Sequence, residues 1–238
     1  MSSRTITLPE DLDGAGIERI RSELREASRD EDCRVILFTG GEERFCLGMN
    51  LEFLCAEARR RHFDAIGTYV DLIREIRSCP KVTLAVVRGE AIGGGLGIAA
   101  TCDFVLAGRS ARFGLPEALF GMFPGVVIPL LSLRCLPDHV KKLALTMKTI
   151  DAEEGLRLGL ADQVADDGRF ERELHVRIKD FSRSGPESVK AIKRLTNFLH
   201  QQTLDLLLDE GMGSLRAHLS KPEVLDSLGE FASGGLIR

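Results

Sequence analysis

Short apolar runs alternate with longer amphipathic segments along the first two thirds of the chain. Residues 35–38, 82–87 and 104–107 are nearly continuous apolar runs, each followed by glycine or polar residues. Such runs predict strands that are buried on both faces. Apolar residues also recur at helical spacing, as in residues 17–24 and 51–78. Strands that alternate with helices predict βαβ units with right-handed crossovers, and therefore an α/β fold.

The two ends of the chain have different patterns. Residues 4–8 predict a short first strand, and Asp11 or Asp13 can cap the helix that follows. Beyond about residue 138 the pattern predicts one helix after another, without a repeat or a low-complexity linker. We therefore predict an α/β core over residues 1–165 and a helical C-terminal region over residues 166–238.

Composition narrows the class of protein. The chain has 238 residues, of which 44% are hydrophobic, so it can bury a core without disulfides or a metal. A net charge of −4 gives no indication of nucleic acid or a membrane surface as a partner. The six cysteines match no CxxC or zinc spacing, and we predict neither a metal nor a cofactor. Without a secretory leader or an apolar run of about 20 residues, we expect a cytoplasmic protein.

Two glycine-bearing loops, residues 45–51 and 93–97, each follow a predicted strand and precede a predicted helix. Such loops present backbone N–H groups at a helix N-terminus, where negative charge is stabilised. Two N–H groups that converge on one carbonyl oxygen form an oxyanion hole. Alternatively, the second loop is a tight turn or a dinucleotide loop, although Ile98 breaks the GxGxxG pattern of the latter.

Glu117 is the only carboxylate in the apolar, Gly/Pro-rich stretch of residues 113–125. A carboxyl group in such surroundings has a raised pKa and can transfer protons near neutral pH. The alternative is a solvent-exposed loop glutamate or a charge in the first turn of a helix.

Taken in order, these segments resemble the crotonase (enoyl-CoA hydratase/isomerase) superfamily. The matching residues are Phe45-x-x-Gly48-x-Asn50-Leu51, Gly89-x-Ala91-x-Gly93-Gly94-Gly95, Cys102-Asp103, Phe113-Gly114-x-Pro116-Glu117 and Ala152-x-x-Gly155-Leu-x-Leu-Gly159-Leu-x-Asp162-x-Val164. The resemblance implies a crotonase-like ββα spiral core with a C-terminal helical region. That region would cover the pocket or contact a neighbouring subunit, and the family commonly forms trimers or dimers of trimers.

The resemblance also implies a role for each matching position. The N–H groups of Leu47 and Gly94 would hold the oxygen of an acyl thioester, and Glu117 would be the catalytic carboxylate. The remaining substrate-binding positions would be Cys46, Met49, Asn50, Gly93 and Gly97. Asn50 also suits a helix N-cap, and Cys46 suits packing better than catalysis.

Hydratases of the family carry a second catalytic glutamate where this chain has Gly97, so a reaction with two carboxylates guiding the proton transfers is not expected, and one carboxylate remains. Within the superfamily the chain is most similar to the dehydratases of polyketide β-branching. The features that carry this similarity are Phe45-Cys46-x-Gly48-Met49, Val87-Arg88-Gly89, Gly94-Gly95-Leu96-Gly97 and Glu117-x-Leu119-Phe120-Gly121-x-x-Pro124. The implied reaction is dehydration of 3-hydroxy-3-methylglutaryl to 3-methylglutaconyl on an acyl carrier protein (ACP).

Other functions remain open from the sequence. A double-bond isomerase also needs only one carboxylate, and a non-catalytic thioester-binding member of the family is the alternative outside enzymes. The carrier of the acyl group is either ACP or coenzyme A. Residues 59–61 and the cations of residues 190–194 are interpreted as solvated faces, with contact to a carrier phosphate as the alternative.

Overall fold

Two β-sheets organise the part of the chain that the computed structural model describes, residues 2–234. The first sheet has five parallel strands in the order β1-β2-β4-β6-β9, and the second has four in the order β3-β5-β7-β8, of which only the β7–β8 pair is antiparallel. Their bounds are β1 Ser2–Thr7, β2 Cys33–Thr39, β3 Arg44–Cys46, β4 Val82–Val87, β5 Glu90–Ile92, β6 Phe104–Gly108, β7 Arg112–Gly114, β8 Ile150–Asp151 and β9 Gln163–Ala165.

Helices follow the strands and then take over the C-terminal third. Their bounds are α1 Gly14–Arg29, α2 Leu51–Arg59, α3 Asp64–Ser78, α4 Gly94–Thr101, α5 Val127–Leu131, α6 Pro137–Thr146, α7 Ala152–Leu158, α8 Phe170–Ser182, α9 Pro186–Phe198, α10 Gln201–Leu219 and α11 Pro222–Ala232. Two short 3₁₀ turns lie at Glu117–Phe120 and Asp167–Arg169.

The core repeats one unit: a strand of the first sheet, a short strand of the second sheet, and a helix. The units are β2-β3-α2/α3, β4-β5-α4 and β6-β7 followed by α5 to α7. This arrangement confirms the predicted α/β spiral with a helical C-terminal region. In each unit, the second-sheet strand ends shortly before a helix or helical turn begins. The backbone groups that follow β3, β5 and β7 therefore lie next to one another at one edge of the second sheet.

Burial on both faces explains why the long strands read as continuous apolar runs. Along β2, Ile36 and Phe38 join the main core, whereas Val35 and Leu37 pack in a smaller core beneath α8. The alternation follows from the two-residue period of a strand. The main core extends from Ile6 to Leu228, so it includes residues from both predicted regions. The boundary at residues 165 and 166 stays a prediction.

Several predicted elements differ in detail. The helix expected over residues 51–78 is two helices, α2 and α3, and between them Arg61 adopts a left-handed φ of 55°. The second-sheet strands β3, β5 and β7 have no counterpart among the predicted strands, because runs of three residues carry too little periodicity to identify. The first strand lies at Ser2–Thr7 rather than at residues 4–8.

Lys193 corrects the expectation of a solvated basic face on α9. Its ammonium group is buried and pairs with Asp103 at 2.5 Å. The same carboxylate accepts hydrogen bonds from the N–H and hydroxyl of Thr83. Lys193 therefore ties α9 to the start of β6, whereas Lys190 and Arg194 are exposed.

All six cysteine thiols are buried and free. Across residues 2–234, we find no helix with both the length and the apolar character needed to cross a membrane.

Candidate active site

A cavity of about 450 Å³ lies between the second sheet and the C-terminal helices. This volume falls within the range of small-molecule sites. One side, here called the strand-end wall, consists of Leu47, Gly93, Gly94 and Glu117, which follow β3, β5 and β7. The opposite side, here called the helical wall, consists of Leu54, Ile66, Leu215 and Phe231 from α2, α3, α10 and α11.

Glu117 is the first residue of the 3₁₀ turn that follows β7. Its side chain is 8% exposed, and its Oε2 accepts no hydrogen bond from any residue between 2 and 234. Burial disfavours the charged form and raises the pKa of Glu117 from 4.5 to about 7, the direction expected from its apolar surroundings. A carboxyl group with this pKa can accept and return a proton near neutral pH.

Glycine is required beside this carboxylate. Gly93 has a φ of +51°, and a Cβ at this position would lie 2.9 Å from Glu117 Oε1. Gly94 begins α4, so its N–H has no acceptor within its own helix. We also find no other acceptor for it among residues 2–234. The structure therefore places an N–H donor without an acceptor among residues 2–234 and a buried carboxyl group in the same cavity, as the sequence predicts.

The Leu47 N–H departs from its expected role as a free donor. It donates to the carbonyl oxygen of Glu10 at 2.7 Å. Two further backbone bonds join the same segments, from Leu12 N–H to Gly48 O at 2.7 Å and from Asn50 N–H to Leu12 O at 2.8 Å. The segment that precedes α1 therefore runs beside the loop that follows β3 and is hydrogen-bonded to it. A ligand oxygen can therefore reach the Leu47 N–H only by replacing the Glu10 carbonyl.

Met49 and Asn50 both line the cavity, as predicted. The Oδ1 atom of Asn50 also accepts a hydrogen bond from Phe53 N–H at 2.8 Å, which confirms it as the N-cap of α2. Capping fixes the direction in which α2 leaves the strand-end wall.

Two predicted substrate-binding residues, Cys46 and Gly97, lie behind the cavity and do not line it. Cys46 is fully buried, and burial raises the pKa of its thiol to about 12, so it packs as a small apolar side chain. Gly97 lies inside α4, where a Cβ would overlap the hydroxyl oxygen of Tyr69. Both residues pack behind the strand-end wall and do not face the cavity.

Sequence reasoning missed several cavity residues. Tyr69 lines the cavity from α3, and only its status as the one tyrosine of the chain could have drawn attention to it. Phe120 and Phe231 also line it, with ring centroids 4.7 Å apart. Contacts between the 3₁₀ turn and α11 depend on tertiary packing, which no local pattern encodes.

Comparison with known proteins agrees with this architecture. The sequence profile described as enoyl-CoA hydratase/isomerase matches residues 12–228. The chain belongs to the enoyl-CoA hydratase/isomerase family. The matched range contains the whole strand-end wall and most of the helical wall.

Among curated relatives of this family member, carnitinyl-CoA dehydratase of Proteus mirabilis is 31% identical over 204 residues, which is 83% of this chain and 76% of the relative. Among solved structures, a Bacillus subtilis protein assigned to polyketide biosynthesis as an enoyl-CoA hydratase has a TM-score of 0.88 at 23% identity, covering 98% of this chain and 94% of that one. An enoyl-CoA hydratase from Bacillus halodurans has a TM-score of 0.87 at 24% identity, covering 95% of each chain. These two structures share the fold.

Proposed function

We propose that this family member dehydrates a 3-hydroxyacyl thioester through an enolate. The observation that carries the proposal is a buried Glu117 carboxyl oxygen and a Gly94 N–H in one cavity, neither of which has a hydrogen-bond partner among residues 2–234. Abstraction of a proton next to a thioester carbonyl needs such a pair: a base, and a donor for the oxygen that becomes negative. The similarity to a carnitinyl-CoA dehydratase supports elimination of water as the reaction.

In the proposed reaction, Glu117 breaks the C2–H bond and takes the proton. The electron pair of that bond moves into the thioester, whose oxygen becomes an enolate oxygen held by Gly94 N–H. The pair then returns to form the C2–C3 double bond as the C3–O bond breaks. Protonated Glu117 gives its proton to the departing hydroxyl group, and water leaves. The carboxylate is regenerated, so no further cofactor is needed.

The second donor for the enolate oxygen would be Leu47 N–H. In this structure that N–H donates a hydrogen bond to Glu10 O. A thioester oxygen that replaces this carbonyl exchanges a neutral acceptor for one that becomes charged during the reaction. Hydrogen bonds to charged acceptors are stronger than those to neutral ones. The exchange therefore favours the enolate over the bound substrate, and a stronger interaction with the transition state is what accelerates a reaction.

We propose 3-hydroxy-3-methylglutaryl on ACP as the substrate, with coenzyme A as the alternative carrier. The motifs shared with β-branching dehydratases support this choice. The absence of a carboxylate at Gly97 leaves Glu117 as the only buried carboxylate among residues 2–234. One acid–base group suffices for an elimination in which the proton taken from C2 is delivered to the leaving group.

The same single carboxylate supports a second candidate, isomerisation of an enoyl thioester. Glu117 would remove a proton from one carbon of the substrate and return it to another, with the same enolate between the two steps. The cavity provides the same donor for that enolate.

We also propose a homotrimer or a dimer of trimers as the working assembly. Support comes from apolar side chains that α9, α10 and the turn between them leave 61–71% exposed: Ile192, Leu195, Phe198, Leu199 and Leu206. Exposed apolar surface of this kind marks contacts with other chains. Light scattering should give a mass near three or six times 26.2 kDa.

A mass-spectrometric turnover assay tests the reaction. The purified protein is offered the 3-hydroxy-3-methylglutaryl group on ACP and, separately, on coenzyme A. We expect loss of about 18 mass units, corresponding to water, on the ACP-bound group, and at least a 10²-fold slower loss with Glu117→Gln. Glu52→Gln is the matched control, because Glu52 lines the same cavity but is exposed, and it should retain turnover. No mass change on either carrier would exclude this dehydration, and equal turnover by Glu117→Gln would exclude Glu117 as the base.

A further inference from the structure

Tyr69 makes a specific contact with the strand-end wall that the proposed reaction has not yet used. It lies on α3, is 3% exposed and lines the cavity. Its hydroxyl group donates a hydrogen bond to the carbonyl oxygen of Gly94 at 2.6 Å. One side chain from a different helix therefore holds the cavity-lining residue whose N–H is the donor of the proposed reaction.

The surroundings of this hydroxyl are shaped to admit it. A Cβ at Gly97 would overlap the Tyr69 hydroxyl oxygen, and it would lie 3.3 Å from Leu130 Cδ1. A Cβ at Gly94, by contrast, would meet the tyrosine ring only at ordinary contact distances of 3.5 and 3.6 Å. Gly97 is therefore the position at which any side chain competes with the hydroxyl for space.

The donor that Tyr69 holds lies in a run of three glycines, of which Gly93 is already fixed: its N–H donates to Gly114 O at 3.0 Å, and its carbonyl oxygen accepts from Gly97 N–H at 3.0 Å. Gly93, Gly94 and Gly95 follow one another, and glycine restricts the backbone less than any other residue. At the start of a helix, the first N–H groups also lack the intrahelical bonds that would fix them. The Tyr69 hydroxyl supplies a hydrogen bond that ties Gly94 itself to another helix.

We propose that Tyr69 is a positioning residue, whose hydroxyl fixes the first turn of α4 so that Gly94 N–H points at the developing enolate oxygen. This inference rests on the proposed function. The phenol acts through Gly94 and not on the substrate, since its proton is already donated to the Gly94 carbonyl oxygen. Burial raises the pKa of the Tyr69 hydroxyl above its ordinary value of 10, so the hydroxyl is protonated and can donate at neutral pH.

The first test measures backbone mobility in the ligand-free protein and needs no substrate. Tyr69→Phe removes the hydroxyl and keeps the ring. Hydrogen exchange, followed by mass spectrometry on peptides covering residues 92–101, should become faster in Tyr69→Phe. Peptides from β1 and β2 serve as internal controls and should exchange as in the wild type. Unchanged exchange over residues 92–101 would overturn the proposal.

The second test measures turnover of whichever thioester the wild type dehydrates. Displacement of a positioned group lowers the rate of the chemical step, so kcat of Tyr69→Phe should fall about 10- to 100-fold while KM changes little. The pH at which kcat/KM is half-maximal should stay the same, because Glu117 is not altered. Faster exchange with an unchanged kcat would overturn the positioning role. If the wild type turns over neither thioester, the proposed function fails, and the exchange measurement still decides whether Tyr69 holds α4.

A double-mutant cycle keeps the proposal testable if Tyr69→Phe affects folding. Gly97→Ala leaves the tyrosine in place but displaces its hydroxyl, so it should raise exchange and lower kcat in the same way. In the Tyr69→Phe background, Gly97→Ala should have little further effect, since the overlapping oxygen is gone and the ring carbon lies 3.6 Å away. Additive losses of kcat in the double variant would show that the two residues act independently, and would overturn the proposal.

Discussion

The two walls of the cavity are built by different means. The strand-end wall takes its polar groups from the backbone, with Glu117 as its single charged side chain, and each group follows a strand of the second sheet. The helical wall offers only side chains, which come from α2 and α3 as well as from α10 and α11. The strands before the strand-end wall are held in position by the hydrogen bonds of the second sheet, whereas a helix surface changes shape with each side-chain substitution. On the proposed function, we infer that the strand-end wall determines the chemistry and that the helical wall determines the choice of acyl group.

The largest effect is expected from removing the backbone donor itself. Gly94→Pro deletes the N–H at the first position of α4, where the proline ring is compatible with a helix. Loss of one oxyanion donor lowers kcat by about 10²- to 10³-fold. Gly94→Ala is the matched control: it keeps the N–H, and its Cβ meets neighbours at 3.5 Å. If both variants have the same kcat, Gly94 N–H is not a donor to the transition state.

The second prediction concerns the ionisation of Glu117. The base must be deprotonated, so kcat/KM should rise with pH through about 7 and level off above it. A stopped or continuous assay between pH 5 and pH 9 measures this midpoint. A midpoint near 4.5, the ordinary value for glutamate, would mean that the carboxyl group is not buried in the working enzyme.

The same pKa has a consequence for stability. The folded state binds the proton of Glu117 more tightly than the unfolded state does, so stability is greatest below about pH 4.5 for this group and falls as pH rises to about 7. A shift from 4.5 to about 7 corresponds to roughly 3 kcal/mol. Glu117→Gln should therefore raise Tm relative to wild type by more at pH 8 than at pH 5. An equal difference in Tm at both pH values would contradict this.

The smallest effect is expected at the helical wall. Phe231→Ala removes an aromatic surface and its contact with Phe120, so affinity for the acyl group should weaken by about 1–3 kcal/mol, seen as a higher KM. The kcat for a short acyl group should change little, because no reacting atom is touched. Leu145→Ala is the control, as Leu145 is 69% exposed and does not line the cavity. A fall in kcat without a rise in KM would mean that Phe231 contributes to the chemical step and not to binding of the acyl group.

The strand-end wall could be predicted from sequence to a large extent, and the helical wall could not. Glycine runs after apolar strands are a local signal, and a lone glutamate in an apolar stretch is another, so Gly94 and Glu117 were found. Cavity residues on α10 and α11 depend on how distant helices pack, which leaves no trace in local periodicity. The engagement of Leu47 by Glu10 was also missed, since a bond between two backbone groups does not depend on residue type.

Gly97 belongs to the glycine segment that the sequence pattern identifies, but it does not line the cavity as a substrate-binding residue would. The pattern identifies it as a glycine of the oxyanion segment, and from that we expected a substrate contact. The structure gives a different reason for glycine, which is space for the Tyr69 hydroxyl from α3. The glycine at position 97 is therefore explained by the side chain of Tyr69, 28 positions earlier in the chain.

Because its six thiols are buried, the protein is suited to site-specific labelling at an added, exposed cysteine. Burial raises the pKa of Cys33, Cys46, Cys102 and Cys135, so little thiolate is available to an alkylating reagent while the chain is folded. One cysteine introduced at an exposed position of α11 would therefore be labelled ahead of the six buried native thiols. A fluorophore at that position would report when the last helix moves against the rest of the molecule.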